Sequence, residues 1–138
     1  MILLIRHASA GQRAEWEGDD RLRPLDERGR RQARALVEAL AGYEVERILS
    51  SPYLRCVQTV ESLAEARGLT VEHAPELGED RQDVDAAPLL RSLAGSPVAV
   101  CTHGGVERAL GLDARYKKGE TLVLGDGLEL VRSIPLPD

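Results

Sequence analysis

Two of the chain's three histidines directly follow short apolar runs. His7 comes after Ile2-Leu3-Leu4-Ile5-Arg6, and His103 comes after Val98-Ala99-Val100-Cys101-Thr102, ninety-six residues later. An unbroken apolar run of this length reads as a strand covered on both faces, as in parallel sheets. The carboxyl ends of such strands border the crevice in which open α/β sheets bind ligands. Arg6, His7 and His103 therefore fall on one predicted edge. Arg55 joins them on the second turn of a helix expected after Ser50-Ser51-Pro52, and the acidic segment Pro75-Glu76-Leu77-Gly78-Glu79-Asp80 follows a further predicted strand at the same edge.

These residue types suit phosphoryl chemistry. The guanidiniums of Arg6 and Arg55 offer fixed forks of donors that match phosphate oxygens, and His103 can donate to the same anion. Taken alone, Arg55 would be a surface cation set against a helix dipole; an anion shared at that helix start reverses the balance. His7 is left as a nucleophile, since a neutral imidazole can attack phosphorus in line and later be displaced by water. Glu79, or else Asp80 or Glu76, can protonate the leaving oxygen and then activate the water. Because the arginines neutralise the phosphoryl charge, no divalent metal or other cofactor is expected, and the histidines lack the HxxxH or HxH spacing of a metal site. The expected partner is a phosphorylated small molecule or a phosphohistidine protein.

The elements that must position these residues follow from periodicity and punctuation. Residues 8 to 25 show no period and read as a long loop over the active edge, with Trp16 packing it to the body. Asp26 is a plausible N-cap for a helix that buries Ala33, Leu36, Val37 and Leu40 and turns Arg30, Arg31 and Arg34 outward. A strand from Val45 to Leu49 leads into a helix capped by Ser51, with Pro52 in its first turn, buried along Leu54, Val57, Val60 and Ala64 and ended by Gly68. Leu69 to Ala74 forms the next strand. Val84, Ala87, Leu90, Leu93 and Ala94 suggest a helix whose regular part begins near Ala87 because of Pro88. After the Val98 strand come the Gly104-Gly105 turn, a short helix to about Gly111, Lys117 and Lys118, and a hairpin of Glu120 to Leu124 with Leu128 to Ile134. The two lysines read as a solvated turn, the alternative being contact with a second phosphate. Alternating strands and helices of this kind form a three-layer α/β/α sandwich, a mostly parallel sheet with a C-terminal hairpin, in a single domain over residues 1–138.

Composition narrows the partners. The formal charge of −5 argues against broad nucleic-acid binding. No apolar stretch approaches the roughly 20 residues needed to cross a bilayer, and Met1 runs into a core strand without a signal-peptide n-region, so a cytoplasmic protein without membrane association is expected. Phe is absent, leaving Leu, Val and Ala to fill the core. Cys56 and Cys101 are too few for a disulfide scaffold and read as reduced thiols.

Several segments together resemble the histidine phosphatase superfamily, which includes the phosphoglycerate mutases. Arg6-His7-Ala8-Ser9-Ala10 resembles its RHxxA signature. Leu25-Asp26-Glu27-Arg28-Gly29-Arg30-Arg31-Gln32-Ala33 resembles its LTxxGxxQA helix start, with Asp in place of Thr. Ser50 to Thr59 is similar to SSPxxRxxQT, Thr102-His103-Gly104-Gly105 to the second-histidine motif, and Leu77-Gly78-Glu79 to LxE. The resemblance covers nearly the whole chain and implies a phosphoglycerate mutase-like fold. It also implies a phosphohistidine intermediate on His7, with Arg6, Arg55, His103 and Gly104 binding the substrate phosphate and Glu79 as the acid. Short length and the Trp16-Glu17-Gly18-Asp19-Asp20 loop look like the SixA-type phosphohistidine phosphatases and the phosphatase domains attached to some Nudix hydrolases. A mutase reading is disfavoured because the insert that mutases carry before the second histidine is missing. A non-catalytic phosphate-binding module is disfavoured because binding alone does not need the nucleophile.

Overall fold

The computed structural model describes residues 1–136 and contains one six-stranded sheet. Its strands are β1 (Ile2–Arg6), β2 (Arg47–Ser50), β3 (Val71–His73), β4 (Val98–Thr102), β5 (Thr121–Leu124) and β6 (Leu130–Ile134), in the order β3-β2-β4-β1-β5-β6. The first four run parallel, β5 is antiparallel to β1, and β6 is antiparallel to β5. Four helices connect them: α1 (Glu27–Ala39), α2 (Leu54–Arg67), α3 (Gln82–Ser92) and α4 (Val106–Ala109).

Both faces of the central strands are covered, as their unbroken apolar runs require. Ile2 and Leu4 of β1 and Val98 and Val100 of β4 pack with Ala86 and Leu90 of α3 and Val106 of α4. Leu3, Ile5, Ala99 and Cys101 turn the other way, onto Leu36 of α1 and Val60 and Leu63 of α2. The chain steps outward from β1 to β2 to β3 with α1 and α2 on one face. It then returns to β4, between β2 and β1, through α3 on the opposite face. A right-handed crossover that reverses its direction of travel must change faces. The reversal leaves the carboxyl ends of β1 and β4 side by side at the switch point, where such sheets form their crevice.

The boundaries differ from expectation at three places. α2 begins at Leu54, not at a Ser51 cap: Ser51 Oγ accepts the Tyr53 N–H at 3.2 Å, and Tyr53 at the N-cap makes no side-chain cap bond. α3 begins at Gln82, five residues before Ala87, because Gly78 carbonyl accepts from both Arg81 and Gln82 and Asp83 and Asp85 favour the first turn. Pro88 is tolerated within it because the N–H it lacks would have served Val84, whose 77% exposure lets water take the carbonyl. β3 and β2 are each about two residues shorter at the start than the apolar pattern suggested. Cys56 and Cys101 are buried and unbridged. No helix among the described residues is long and apolar enough to cross a membrane.

The packing of α1 against the segment after β1 depends on one missing side chain. A Cβ at Gly29 would collide with the backbone carbonyl of Ser9, whereas Gly42 has nothing within 4 Å of the same position. Ala in place of Gly within a helix ordinarily gains about 1 kcal/mol. Gly29→Ala should instead cost about 1–3 kcal/mol in denaturant unfolding, because two backbones must separate. Gly42→Ala should change stability little, and a stabilised Gly29→Ala protein would contradict this close approach.

Candidate active site

The parallel register sets the geometry. Arg6 pairs with Thr102, and the His7 N–H donates to Thr102 carbonyl at 3.0 Å, so both histidines leave the sheet at the same level. Their rings lie 5.4 Å apart at 67°. His7 is 5% exposed, and its Nδ1 lies 2.8 Å from the carbonyl oxygen of Ala8. A carbonyl only accepts, so Nδ1 carries the proton and Nε2 holds the lone pair. Burial, with smaller contributions from nearby His103, Arg55 and Arg6, lowers the His7 pKa to about 3. The imidazole is therefore neutral and nucleophilic at any ordinary pH.

Around it stand donors without acceptors. Arg6 Nε, Arg55 Nε and His103 Nδ1 are buried and have no hydrogen-bond partner. Buried polar atoms in folded proteins are rarely left so, and three of them beside one neutral histidine could together receive an anion. Each side chain is nevertheless fixed. Arg6 donates through NH1 to Tyr116 carbonyl at 2.9 Å, while the Tyr116 hydroxyl donates to His103 carbonyl at 2.9 Å, tying both to one residue. His103 Nε2 shares a hydrogen bond with Ser51 Oγ at 2.9 Å, which leaves its Nδ1 edge free. Gly104 lies against the Arg6 guanidinium so closely that a Cβ would come within 2.9 Å of Arg6 Cζ. Arg55, 1% exposed, donates to Asp20 carbonyl, Asp20 Oδ2 and Glu79 Oε2 at 2.8, 3.1 and 2.6 Å.

Of the three acids considered, Glu79 alone lines the cleft. It receives Arg13 at 2.5 Å as well as Arg55, and its Oε2 is 3.8 Å from His103 Nδ1. Burial pushes its pKa upward, but the Arg13 hydrogen bond and the fields of His103, Arg13 and Arg55 outweigh that and hold it below the usual carboxylate range. The 460 Å³ cleft is also lined by Arg23, Arg108, Arg115 and Lys118. Lys118 thus belongs to the cleft and not to a solvated turn; Lys117 stays outside it. Trp16 does not line the cleft, and its indole N–H donates to Asp19 carbonyl within its own loop. Arg13, Asp20 and Arg23 were not foreseen, because a loop without periodicity gives its charged residues no predicted direction.

The remaining motif residues act on the backbone. Thr59 Oγ1 accepts the Ala8 N–H at 2.9 Å and donates to Arg55 carbonyl, tying the segment after β1 to α2. Gln32 accepts the Ser9 N–H, and Asp26 accepts from Ser9 Oγ, Gly11 N–H and Gly29 N–H. Asp26, standing where the resemblance expects Thr, therefore caps α1 and clamps the loop with one carboxylate. Gln58 accepts the Leu25 N–H and holds the loop's far end.

The model of the histidine phosphatase superfamily (branch 1) matches residues 2–87. The chain belongs to that superfamily. A curated relative, an 8-oxo-(d)GTP phosphatase of Mycolicibacterium smegmatis, is 39% identical over 110 residues, 76% of this chain and 34% of that protein. The chain thus spans about a third of that relative's length. Among solved structures, the protein histidine phosphatase SixA complexed with tungstate matches with a TM-score of 0.79 at 22% identity, covering 96% of this chain and 95% of that one. A phosphohistidine phosphatase SixA from Agrobacterium tumefaciens matches with a TM-score of 0.75 at 24% identity, covering 97% and 96%. These likenesses show that this histidine phosphatase domain has the phosphoglycerate mutase-like fold of SixA.

Burying His7 in its neutral form couples the site to stability. Unfolded, the imidazole takes a proton near pH 6.5; folded, it does so only near 3. Stability is complete above 6.5 and declines as pH falls below it, by about 1.4 kcal/mol per pH unit. Wild type should lose about 2 kcal/mol more than His7→Asn between pH 7 and pH 5 in denaturant titrations. Parallel losses would assign His7 an ordinary basicity.

Proposed function

We propose that this histidine phosphatase hydrolyses a phosphomonoester or a phosphohistidine in two steps through a phosphoryl group carried on His7. Three buried donors without acceptors, on Arg6, Arg55 and His103, carry this reading. They surround a histidine whose tautomer and low pKa leave Nε2 ready to attack. The relative named for dephosphorylating 8-oxo-(d)GTP, and a SixA structure solved with the tetrahedral oxyanion tungstate, support phosphoryl chemistry at such a site.

In the first step His7 Nε2 forms a bond to phosphorus as the bond to the leaving oxygen or nitrogen breaks. Arg6, Arg55 and His103 share the equatorial charge, and the Gly104 backbone permits Arg6 its approach. In the second step water attacks phosphorus, the N–P bond breaks, and Glu79 takes the water's proton. A carboxylate held below its usual range is suited to that second step. For an alkyl ester the first step needs a proton, which a substrate monoanion, with a phosphate pKa near 6, can deliver to Glu79 on binding. The guanidinium charge makes a metal unnecessary for either step.

Acid-labile, base-stable phosphoryl label should accumulate on wild-type protein quenched during turnover and be absent from His7→Ala; an active His7→Ala protein would end this mechanism. A chelator should leave the rate unchanged. Arg55→Ala should lower kcat/KM by about 10²-fold, a cost of roughly 3 kcal/mol for a desolvated contact to the phosphoryl group, while Arg34→Ala does almost nothing. Glu79→Gln should lower kcat/KM, which reports the first step, by about 10²-fold or more for alkyl phosphates and spare it for aryl phosphates, whose leaving groups need no proton. An equal loss of kcat/KM for both would remove Glu79 from protonation of the leaving group.

A further inference from the structure

We propose that Arg108, Arg115 and Lys118 form a second anion subsite in the cleft, and that the substrate is a small organic diphosphate or longer polyphosphate that loses its terminal phosphoryl group. This rests on the reading of His7 as the nucleophile. Seven cationic side chains line the cleft against two carboxylates, in a chain whose net charge is −5. Their pairing divides them. Arg13, Arg23 and Arg55 are in ion pairs with Asp20 or Glu79. Among the described residues Arg108, Arg115 and Lys118 have no ion pair: Glu107, beside Arg108, is buried with its Oε1 accepting the Gly105 N–H at 2.5 Å, Glu120, two residues from Lys118, accepts the Lys117 N–H, and Asp113, two residues from Arg115, forms no salt bridge with it. One phosphoryl group is already served by Arg6, Arg55 and His103, so the unpaired rim cations exceed what a monophosphate needs. Burial and the charges of Arg6, Arg23 and Arg55 lower the Lys118 pKa and outweigh the opposing field of Asp26, as expected where cations crowd together.

The placement fits a chain of phosphates. A Cβ at Gly104 would come within 2.9 Å of Arg6 Cζ, and a Cβ at Gly105 would come within 3.4 Å of an Arg108 NH2. The two guanidiniums therefore lie over consecutive residues of one turn, whose Cα atoms are about 3.8 Å apart. At 460 Å³ the cleft has the size of a small-molecule site. The chemistry agrees. His7 Nε2 attacks the terminal phosphorus, the bond to the bridging oxygen breaks, and that oxygen keeps the electron pair on a phosphate that departs as an anion. Water then releases inorganic phosphate and leaves its proton on Glu79. Such a leaving group needs no acid, which matches a Glu79 that is ionised in the cleft.

The test compares ADP, AMP and p-nitrophenyl phosphate, the last reporting the His7 chemistry with one phosphate only. Wild type should favour ADP over AMP in kcat/KM by about tenfold or more, and Arg108→Gln/Arg115→Gln should erase most of that ratio, while Arg34→Gln preserves it. In calorimetry on His7→Ala, inorganic pyrophosphate should bind at least about tenfold more tightly than phosphate, and the double substitution should remove the difference. Equal binding of pyrophosphate and phosphate would overturn the subsite, as would efficient cleavage of a phosphohistidine protein alongside indifference between ADP and AMP. Preferential pyrophosphate binding without turnover of any substrate would uphold the subsite and reject the catalytic role of His7.

Discussion

The hydrogen bond from the His7 N–H to the Thr102 carbonyl is the constraint on which the site depends. It is the last rung of the β1–β4 ladder, and it fixes the level at which both chains leave the sheet. Because register in a parallel pair is set by side chains buried on both faces, Ile2, Leu4, Val98 and Val100 on one face and Leu3, Ile5, Ala99 and Cys101 on the other hold that rung in place. A slip by one residue would exchange the two faces and carry Arg6 and His103 out of the cleft. Core packing thus sets where His7 and His103 leave the sheet, and their own hydrogen bonds then orient the rings.

Charge is the second constraint. A guanidinium buried as deeply as Arg55 is costly unless its donors are answered. Asp20 and Glu79 answer two of them, and Asp20 is in turn held by Arg23, whose NH1 donates to Ala10 carbonyl. The long loop after β1 is therefore organised around cations that the fold needs for an anion. Its ends are fixed by amides and a carboxylate on α1 and α2, namely Gln32, Asp26 and Gln58. Loop conformation and cleft electrostatics are set by the same residues, so the loop cannot be altered without changing the charge that substrate meets.

Much of this was legible from sequence because it follows periodic signals. The apolar runs ending in His7 and His103 gave the strands and the edge, and Ser51-Pro52 placed Arg55 near it. Asp26 was readable as a cap because a short acceptor preceded a 3.6-residue pattern. What was not legible was direction. Ser51 reads as a helix cap, yet its hydroxyl is turned to His103 across 52 positions of sequence. Pro88 reads as a helix boundary, but whether a missing N–H matters depends on the exposure of Val84, a tertiary fact. Arg13, Asp20, Arg23, Arg115 and Tyr116 sit in segments without period, and Arg108 lies on the single turn of α4, too short to show a period, so no residue type predicts which way these side chains point.

The protonation states of His7 and Glu79 bear on one another. Burial with few acceptors makes His7 neutral, and the cations needed to bind phosphate make Glu79 an anion. The site thus holds a base at each of the two positions and a reacting proton at neither. Such a site is prepared for the hydrolysis of a phosphohistidine more than for its formation from an alkyl ester, since the second step consumes a base and the first consumes an acid. The charge that lowers Glu79 comes from Arg13, Arg55 and His103, and the proposed subsite of Arg108, Arg115 and Lys118 adds to it a field suited to a polyanion. A substrate whose leaving group carries its own low pKa resolves both demands, because it satisfies the cations and asks no proton of Glu79.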